Sequence, residues 1–315
     1  MAAEPPPPAH DALDVDALDV DALDAAFEAA VLEVSAPDIA VARSVRVCIG
    51  PDRYALEWHL SWWIGRAWGV APEICAQLSL GNVVGLAALR LRDDLEDGEV
   101  GAENAVAARR LSDGLLQAAL AIYGALFPPA SPLWPRLDAW LAEWHDATRA
   151  GASVAGATHL AARAAPVKAS AYGACLIGGR GEAFSLIEGG LDSALQAMVL
   201  FDHLVDWQQD TQAKRWNAFV AHACGGSAGR SQPPRVRDVY RALLSQDVVG
   251  TYGDEIDTHM RRAVALMSDL DVPALEHHLV ELNDQMKVHA QALRNLYLDL
   301  AGRTTSLLGP HAVTA

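Results

Sequence analysis

Basic residues are scarce in this 315-residue chain: 24 Lys and Arg stand against 40 Asp and Glu, for a formal net charge of −16. That balance excludes nucleic acid as the natural partner, because phosphate backbones are held by basic surfaces. Cysteine is equally sparse. The four present (Cys48, Cys75, Cys175 and Cys224) are scattered without a CxxC pair, which excludes a disulfide frame and a thiolate zinc site and predicts reduced thiols in a cytoplasmic protein. No uninterrupted apolar run of 18 residues occurs, so no membrane-spanning helix is expected. The N-terminus lacks the basic-then-apolar order of a leader and opens instead on Glu4 and Pro5–Pro8. Sustained alternation of apolar and polar residues is also missing, so no strand-based fold competes. No GK[ST] is found; the glycines of Gly225, Gly226 and Gly229 precede Pro233-Pro234 and read as a connector.

Apolar residues, by contrast, make up 51% of the chain, enough for a large core. Residues 1–24 carry the five-residue repeat DALDV, DALDV, DALDA. Five is neither a helical nor a strand period, so an acidic, disordered tail is expected over 1–30, with a nascent helix near Ala22–Ala30. The body, 31–305, steps in threes and fours and predicts helices near 53–77, 80–97, 101–127, 135–150, 155–178, 181–211, 235–249, 251–269 and 272–302. Residues 306–315 are expected to be flexible. Leu275, Leu279, Leu282, Met286, Leu293, Leu296 and Leu300 form one apolar stripe and are expected to be buried. Gly189-Gly190 would at most bend its helix. Many long helices with short connections predict an all-α fold, a single-domain antiparallel bundle.

Two acidic constellations interrupt this pattern. The first, Asp93-Asp94-Leu95-Glu96-Asp97, closes an apolar helix. Asp93 and Asp97 lie about 40° apart on one helical face, with Asp94 to the side. Carboxylates at a helix C-terminus oppose the macrodipole and repel one another, a conflict that a hard cation removes. A solvated helix end explains the same pattern, and this motif alone does not decide. In the second, Asp202, Asp206 and Asp210 recur at i, i+4 and i+8, a stripe about 12 Å long within an arc of about 80°. Its flanks are apolar, from Met198 to Trp207, and no Lys or Arg inside it offsets the like charges. Here a metal-binding stripe is the stronger reading.

Asp93-Asp94-Leu95-Glu96-Asp97 resembles the first DDxxD motif of trans-prenyl diphosphate synthases and class I terpene synthases, the class I isoprenoid synthase superfamily. Asp202-His203-Leu204-Val205-Asp206 with Asp210 resembles the second motif. Arg215 follows it much as an arginine does in squalene and phytoene synthases, and Pro166-Val167-Lys168-Ala169-Ser170 resembles the diphosphate-binding Lys-Ser/Thr pair between the motifs. The resemblance spans roughly residues 55–300 and implies a helical bundle around a central cavity. It implies Mg2+ as cofactor, in a three-ion cluster that Mn2+ could replace, held by Asp93, Asp94, Asp97, Asp202, Asp206 and Asp210. Lys168, Lys214 and Arg215 would bind the diphosphate of a prenyl diphosphate substrate, and Asp93, Asp97, Asp202, Asp206 and Asp210 would be essential to turnover. Relatives of this kind are often homodimers.

Departures from the pattern shape the expected reaction. No Gly-Lys-x-x-Arg motif for isopentenyl diphosphate is evident; residues 50–70 offer only Arg53 and Arg66 as basic groups. Arg109-Arg110 stand too far beyond the first motif, and His203 replaces an aspartate of the second. The expectation is therefore ionisation of one prenyl diphosphate followed by cyclisation or quenching of the cation, as in terpene synthases. The alternatives are a prenyltransferase using isopentenyl diphosphate or another acceptor, and a non-catalytic partner subunit. Arg90 and Arg92 are expected to pair with nearby carboxylates. Most of the nine tryptophans should fill the core, with Trp62 or Trp63 and Phe201 facing the cavity and Ala87-Ala88 setting its depth.

Overall fold

The computed structural model describes residues 18–35, 55–96, 98–149, 161–225 and 234–308, and every regular element among them is helical. The chain divides into two compact units: residues up to Trp62 with Ala71–Leu126, and Trp63–Val70 with Phe127 onward.

The first unit holds α1 (Val20–Ser35), the first half of α2 (Ala55–Ala67), α3 (Pro72–Glu96) and α4 (Ala105–Leu126). The helix α1 corrects the expectation of a disordered tail through residue 30. Asp19 caps it, its Oδ1 accepting the Ala22 N–H at 2.9 Å. Leu18 and Leu23, leucines of the repeat, are buried, and Leu23 runs on into buried Phe27 and Val31 at four-residue steps. The five-residue period hides this seam, which appears only where the repeat gives way to a helical one. Phe27 meets the Trp58 ring edge-on at 5.8 Å. The helices α3 and α4 pack along much of their length, and the Ser112 hydroxyl on α4 donates to the Ala88 carbonyl on α3 at 2.8 Å.

A single helix over 53–77 is not formed. It breaks at Trp68–Val70, where Gly69 takes φ +75° and the Val70 N–H reaches back to the Gly65 carbonyl at 2.8 Å. Glycine after a helix and proline at the start of the next, here Pro72, are the usual stop and start signals.

The second unit holds the rest of α2, α5 (Leu133–Arg149), a 3-10 stretch (Ala162–Val167), α6 (Lys168–Ile177), α7 (Phe184–Gln212), α8 (Ala218–Ala223), α9 (Val236–Ser245), α10 (Val248–Ser268) and α11 (Pro273–Leu308). The helix α7 packs mainly on α10, and α10 on α11. Gly190 does not interrupt α7, which runs unbroken from Phe184 to Gln212. A Cβ there would lie 2.5 Å from the Met267 methyl, so the glycine lets α10 approach. The α11 stripe is only partly as expected: Leu275, Leu279 and Met286 are buried, whereas Leu296 and Leu300 are exposed. The buried seam instead passes through Asn283, stepping four, four and three from Leu275 to Met286, and is taken up again at Tyr297.

Two stretches, Pro72–Glu96 and Gly181–Gln212, are long and apolar enough to cross a membrane by length and composition. Half or more of each is buried inside the structure, so the core accounts for their apolarity.

Candidate active site

In the first unit, the end of α3 carries Asp93 and Asp94, both half-buried. Arg90 Nε lies 3.1 Å from Asp94 Oδ1, one turn away, and Arg92 pairs with Asp113 on α4. Both arginines thus pair with local carboxylates, as expected. The helix is closed by Gly98 at φ +74°, with the Glu99 N–H donating to the Asp94 carbonyl at 2.8 Å. Asp97 lies outside the described residues. Ala87 and Ala88 are buried in the packing of α3.

In the second unit, α7 turns Leu200, Leu204, Trp207 and Thr211 into the core. Asp202, Asp206 and Asp210 fall on another side of the helix. Asp202 and Asp206 are exposed, and Val205 beside them is 43% exposed. Phe201 is half-buried, edge-on to the His289 ring of α11 at 5.5 Å. Of the two tryptophans expected to face the cavity, Trp62 is buried in the first unit, and Trp63 belongs to the second and packs on His278 at 4.8 Å.

Asp210 differs from the other two carboxylates. Its side chain is only 13% exposed, and it accepts from Arg215 Nε at 3.1 Å and from Asn217 Nδ2 at 2.8 Å. The chain reverses just past α7 through Lys214, a non-glycine residue at φ 58°. The Arg215 N–H closes the turn on the Asp210 carbonyl at 2.8 Å. Asn217 Nδ2 also donates to the His203 carbonyl at 2.9 Å, while Asn217 Oδ1 caps α8 by accepting the Val220 N–H at 3.0 Å. His203 Nδ1 accepts the Ala218 N–H at 3.0 Å, and Trp216 meets the imidazole edge-on. Burial lowers the His203 pKa to about 4, with the Arg163 charge acting the same way and Asp210 opposing. The imidazole is therefore neutral at pH 7 and ties two chain segments together.

Lys168 is almost fully buried. Its Nζ lies 2.9 Å from Asp192 Oδ1, 3.7 Å from Glu143 Oε2 and 3.9 Å from Glu188 Oε1, above the Trp140 ring. Glu188 is further held by the Trp140 Nε1–H at 3.0 Å and by Arg136 at 3.1 Å. Lys214 and Arg215 are exposed at the end of the stripe.

The structure thus brings Asp210, Arg215, Asn217 and His203 together and places Lys168 among three carboxylates. Among the described residues, no group of three or more His, Cys, Asp or Glu is placed to hold a metal ion by itself. Mg2+, however, is commonly held through one or two carboxylates while phosphate oxygens and water complete its shell. Asp202 and Asp206, exposed and one turn apart, have the hard-oxygen chemistry for that arrangement. Asn217 and Arg163 escaped the sequence reading. The signal for Asn217 was available, an Asn just before the short apolar helix Ala218–Ala223; nothing in the sequence pointed to Arg163.

No protein-family model and no curated protein sequence matches the chain. Among solved structures, it is similar to a geranylgeranyl pyrophosphate synthetase from the archaeon Geoglobus acetivorans, with a TM-score of 0.64 and 14% sequence identity. The match covers 85% of this chain and 97% of that one. The all-helical architecture of this chain is therefore the class I isoprenoid synthase fold, the fold of the trans-prenyl diphosphate synthases.

Proposed function

We propose that this protein is a Mg2+-dependent enzyme acting on a prenyl diphosphate, and that it is a prenyltransferase. The observation that carries the reading is the exposed pair Asp202 and Asp206 on an apolar helix, in a chain with the fold of a prenyl diphosphate synthase. Asp202 and Asp206 would hold Mg2+ against the diphosphate, and Asp93, Asp94 and Asp97 of the other motif would likewise be Mg2+ ligands. When bound, Mg2+ would neutralise the diphosphate and make it a better leaving group. Arg215 and Lys214, at the end of the stripe, would bind the phosphoryl oxygens, Arg215 through its planar fork of donors. Lys168 could join them only by giving up its carboxylate partners. As the allylic C–O bond breaks, the electron pair leaves with diphosphate. The acceptor's double bond then attacks the allylic cation, and a proton is lost to complete the product. The apolar residues beside the stripe, Val205 and Phe201 among them, would exclude water from the cation.

The absence of a Gly-Lys-x-x-Arg motif favours a second reading, in which one prenyl diphosphate is ionised and its cation cyclised or captured by water. Incubation with Mg2+, labelled isopentenyl diphosphate and allylic diphosphates of different lengths separates the two. Labelled, elongated product is expected; an unlabelled hydrocarbon or alcohol would establish the second reading, and no diphosphate release from the purified chain would exclude both. Asp202→Ala and Asp206→Ala should each lower kcat by roughly a hundredfold or more with the helical content kept.

A further inference from the structure

We propose that Asn217 is a positioning residue that commits Asp210 to Arg215 rather than to a metal ion; the consequence for substrate rests on the diphosphate reading above. Spacing alone makes Asp210 the third equal member of a carboxylate stripe. Burial separates it from the other two: Asp202 and Asp206 are exposed, while the Asp210 side chain is only 13% exposed, its Oδ1 held by Arg215 Nε and its Oδ2 by Asn217 Nδ2. A carboxylate gripped on both oxygens is a poor partner for a cation but a firm anchor for a guanidinium.

Asn217 is suited to impose this arrangement. It is buried, and each end of its amide has a distinct task. Nδ2 spends its two hydrogens on Asp210 Oδ2 and the His203 carbonyl, both on α7, and Oδ1 caps α8. The next residue is fastened as well, its N–H donating to His203 Nδ1. The reversal at Lys214 is therefore pinned at its far end to the same stretch of α7 that carries Asp202 and Asp206. Arg215, just past the end of α7 at Gln212, is aimed by Asp210 through its Nε. A guanidinium oriented through its Nε has the direction of its planar fork fixed by that carboxylate. Arg215 would be the residue that touches diphosphate; Asp210 and Asn217 act through it.

Two variants separate positioning from capping. Asn217→Asp keeps an oxygen for the Val220 N–H but replaces the donor facing Asp210 with a second negative charge. Asp210→Asn keeps an acceptor for Arg215 but presents Asn217 with a competing amide. In the full-length protein, the Arg215 Nε–H resonance should shift and broaden in Asn217→Asp while thermal unfolding stays cooperative. The affinity for inorganic pyrophosphate in the presence of Mg2+ should fall about tenfold, the loss of one charge-assisted hydrogen bond. Arg215→Ala should cause a similar loss, and the double variant Asn217→Asp/Arg215→Ala should lose no more than Arg215→Ala alone. An unmoved Arg215 resonance in Asn217→Asp, or additive losses in the double variant, would overturn the proposal. So would an Asp210→Asn variant that loses Mg2+ affinity with the Arg215 resonance unchanged, since that returns Asp210 to the metal. The resonance reports the positioning whether or not pyrophosphate binds. Failure of the wild-type protein to bind Mg2+ and pyrophosphate would count against the diphosphate reading instead.

Discussion

Glu57 on α2 is the acidic residue most at odds with its surroundings. Its Oε2 is sealed from solvent without a hydrogen-bond partner among the described residues, and the Asn82 amide donates to its backbone carbonyl at 2.7 Å instead. Burial pushes its pKa up from 4.5 to about 7. The fold thus prefers the protonated acid. The stabilisation this represents is complete below pH 4.5 and is lost as the pH rises through about 7. Glu57→Gln should remove the dependence and, at pH 8, raise stability by an amount on the order of 3 kcal/mol. Urea denaturation of both proteins at pH 5, 6, 7 and 8 measures it; parallel curves across that range would show that Glu57 titrates normally. At the other pole stands Asp247, whose pKa is lowered by its hydrogen bond from Arg294 while it also accepts the Gly250 N–H at the start of α10. That carboxylate is charged under all these conditions, so it does not contribute to the same window.

At the scale of elements, Lys168 joins three helices through charge: Glu143 on α5, its own position on α6, and Glu188 and Asp192 on α7. Replacing it with Met would leave three carboxylates facing one another without their shared ammonium. The expected cost is about 2–3 kcal/mol, below that of a sealed pair because Asp192 and Glu143 are half open to water. Thermal or urea denaturation reads this directly, and an unchanged stability would mean the cluster contributes little. These helices also show how far the sequence could be read. The three-and-four spacing of apolar residues revealed nearly every helix, because that spacing is the geometry of burial itself. It misjudged α11, where leucines at 296 and 300 continue an apolar stripe while the packing follows a slightly different seam through Tyr297. It merged α2 with the start of α3 by passing over Gly69 and Pro72. In the site, the period of four located Asp202, Asp206 and Asp210 on α7. What makes them unequal was not legible, since Arg215 and Asn217 reach Asp210 through a turn at Lys214 that no periodicity describes. The same holds for Lys168, whose partners lie 20 or more residues away in the chain.

For the whole molecule, ligand linkage supplies the broadest test. A ligand that binds only the folded state stabilises it by about 2.7 kcal/mol at a hundred times its dissociation constant. Mg2+ and inorganic pyrophosphate together should therefore raise Tm by several degrees, and by more than the sum of the two added singly, because each would complete the other's binding site. Differential scanning calorimetry checks this; equal and independent shifts would mean that the two bind apart. The net charge of −16 favours such mutual dependence under the proposed reading, since an unaccompanied pyrophosphate would meet repulsion.

The division of the chain within α2 has a consequence for how such a protein can be rebuilt. The first unit is not one continuous stretch: Trp63–Val70 belongs with residues beyond Leu126. No single pair of breakpoints excises either unit without cutting through a helix. Exchange of a whole unit therefore needs a junction inside α2, and a chimera joined only at Phe127 would take Trp63–Val70 from one parent and the rest of the second unit from the other.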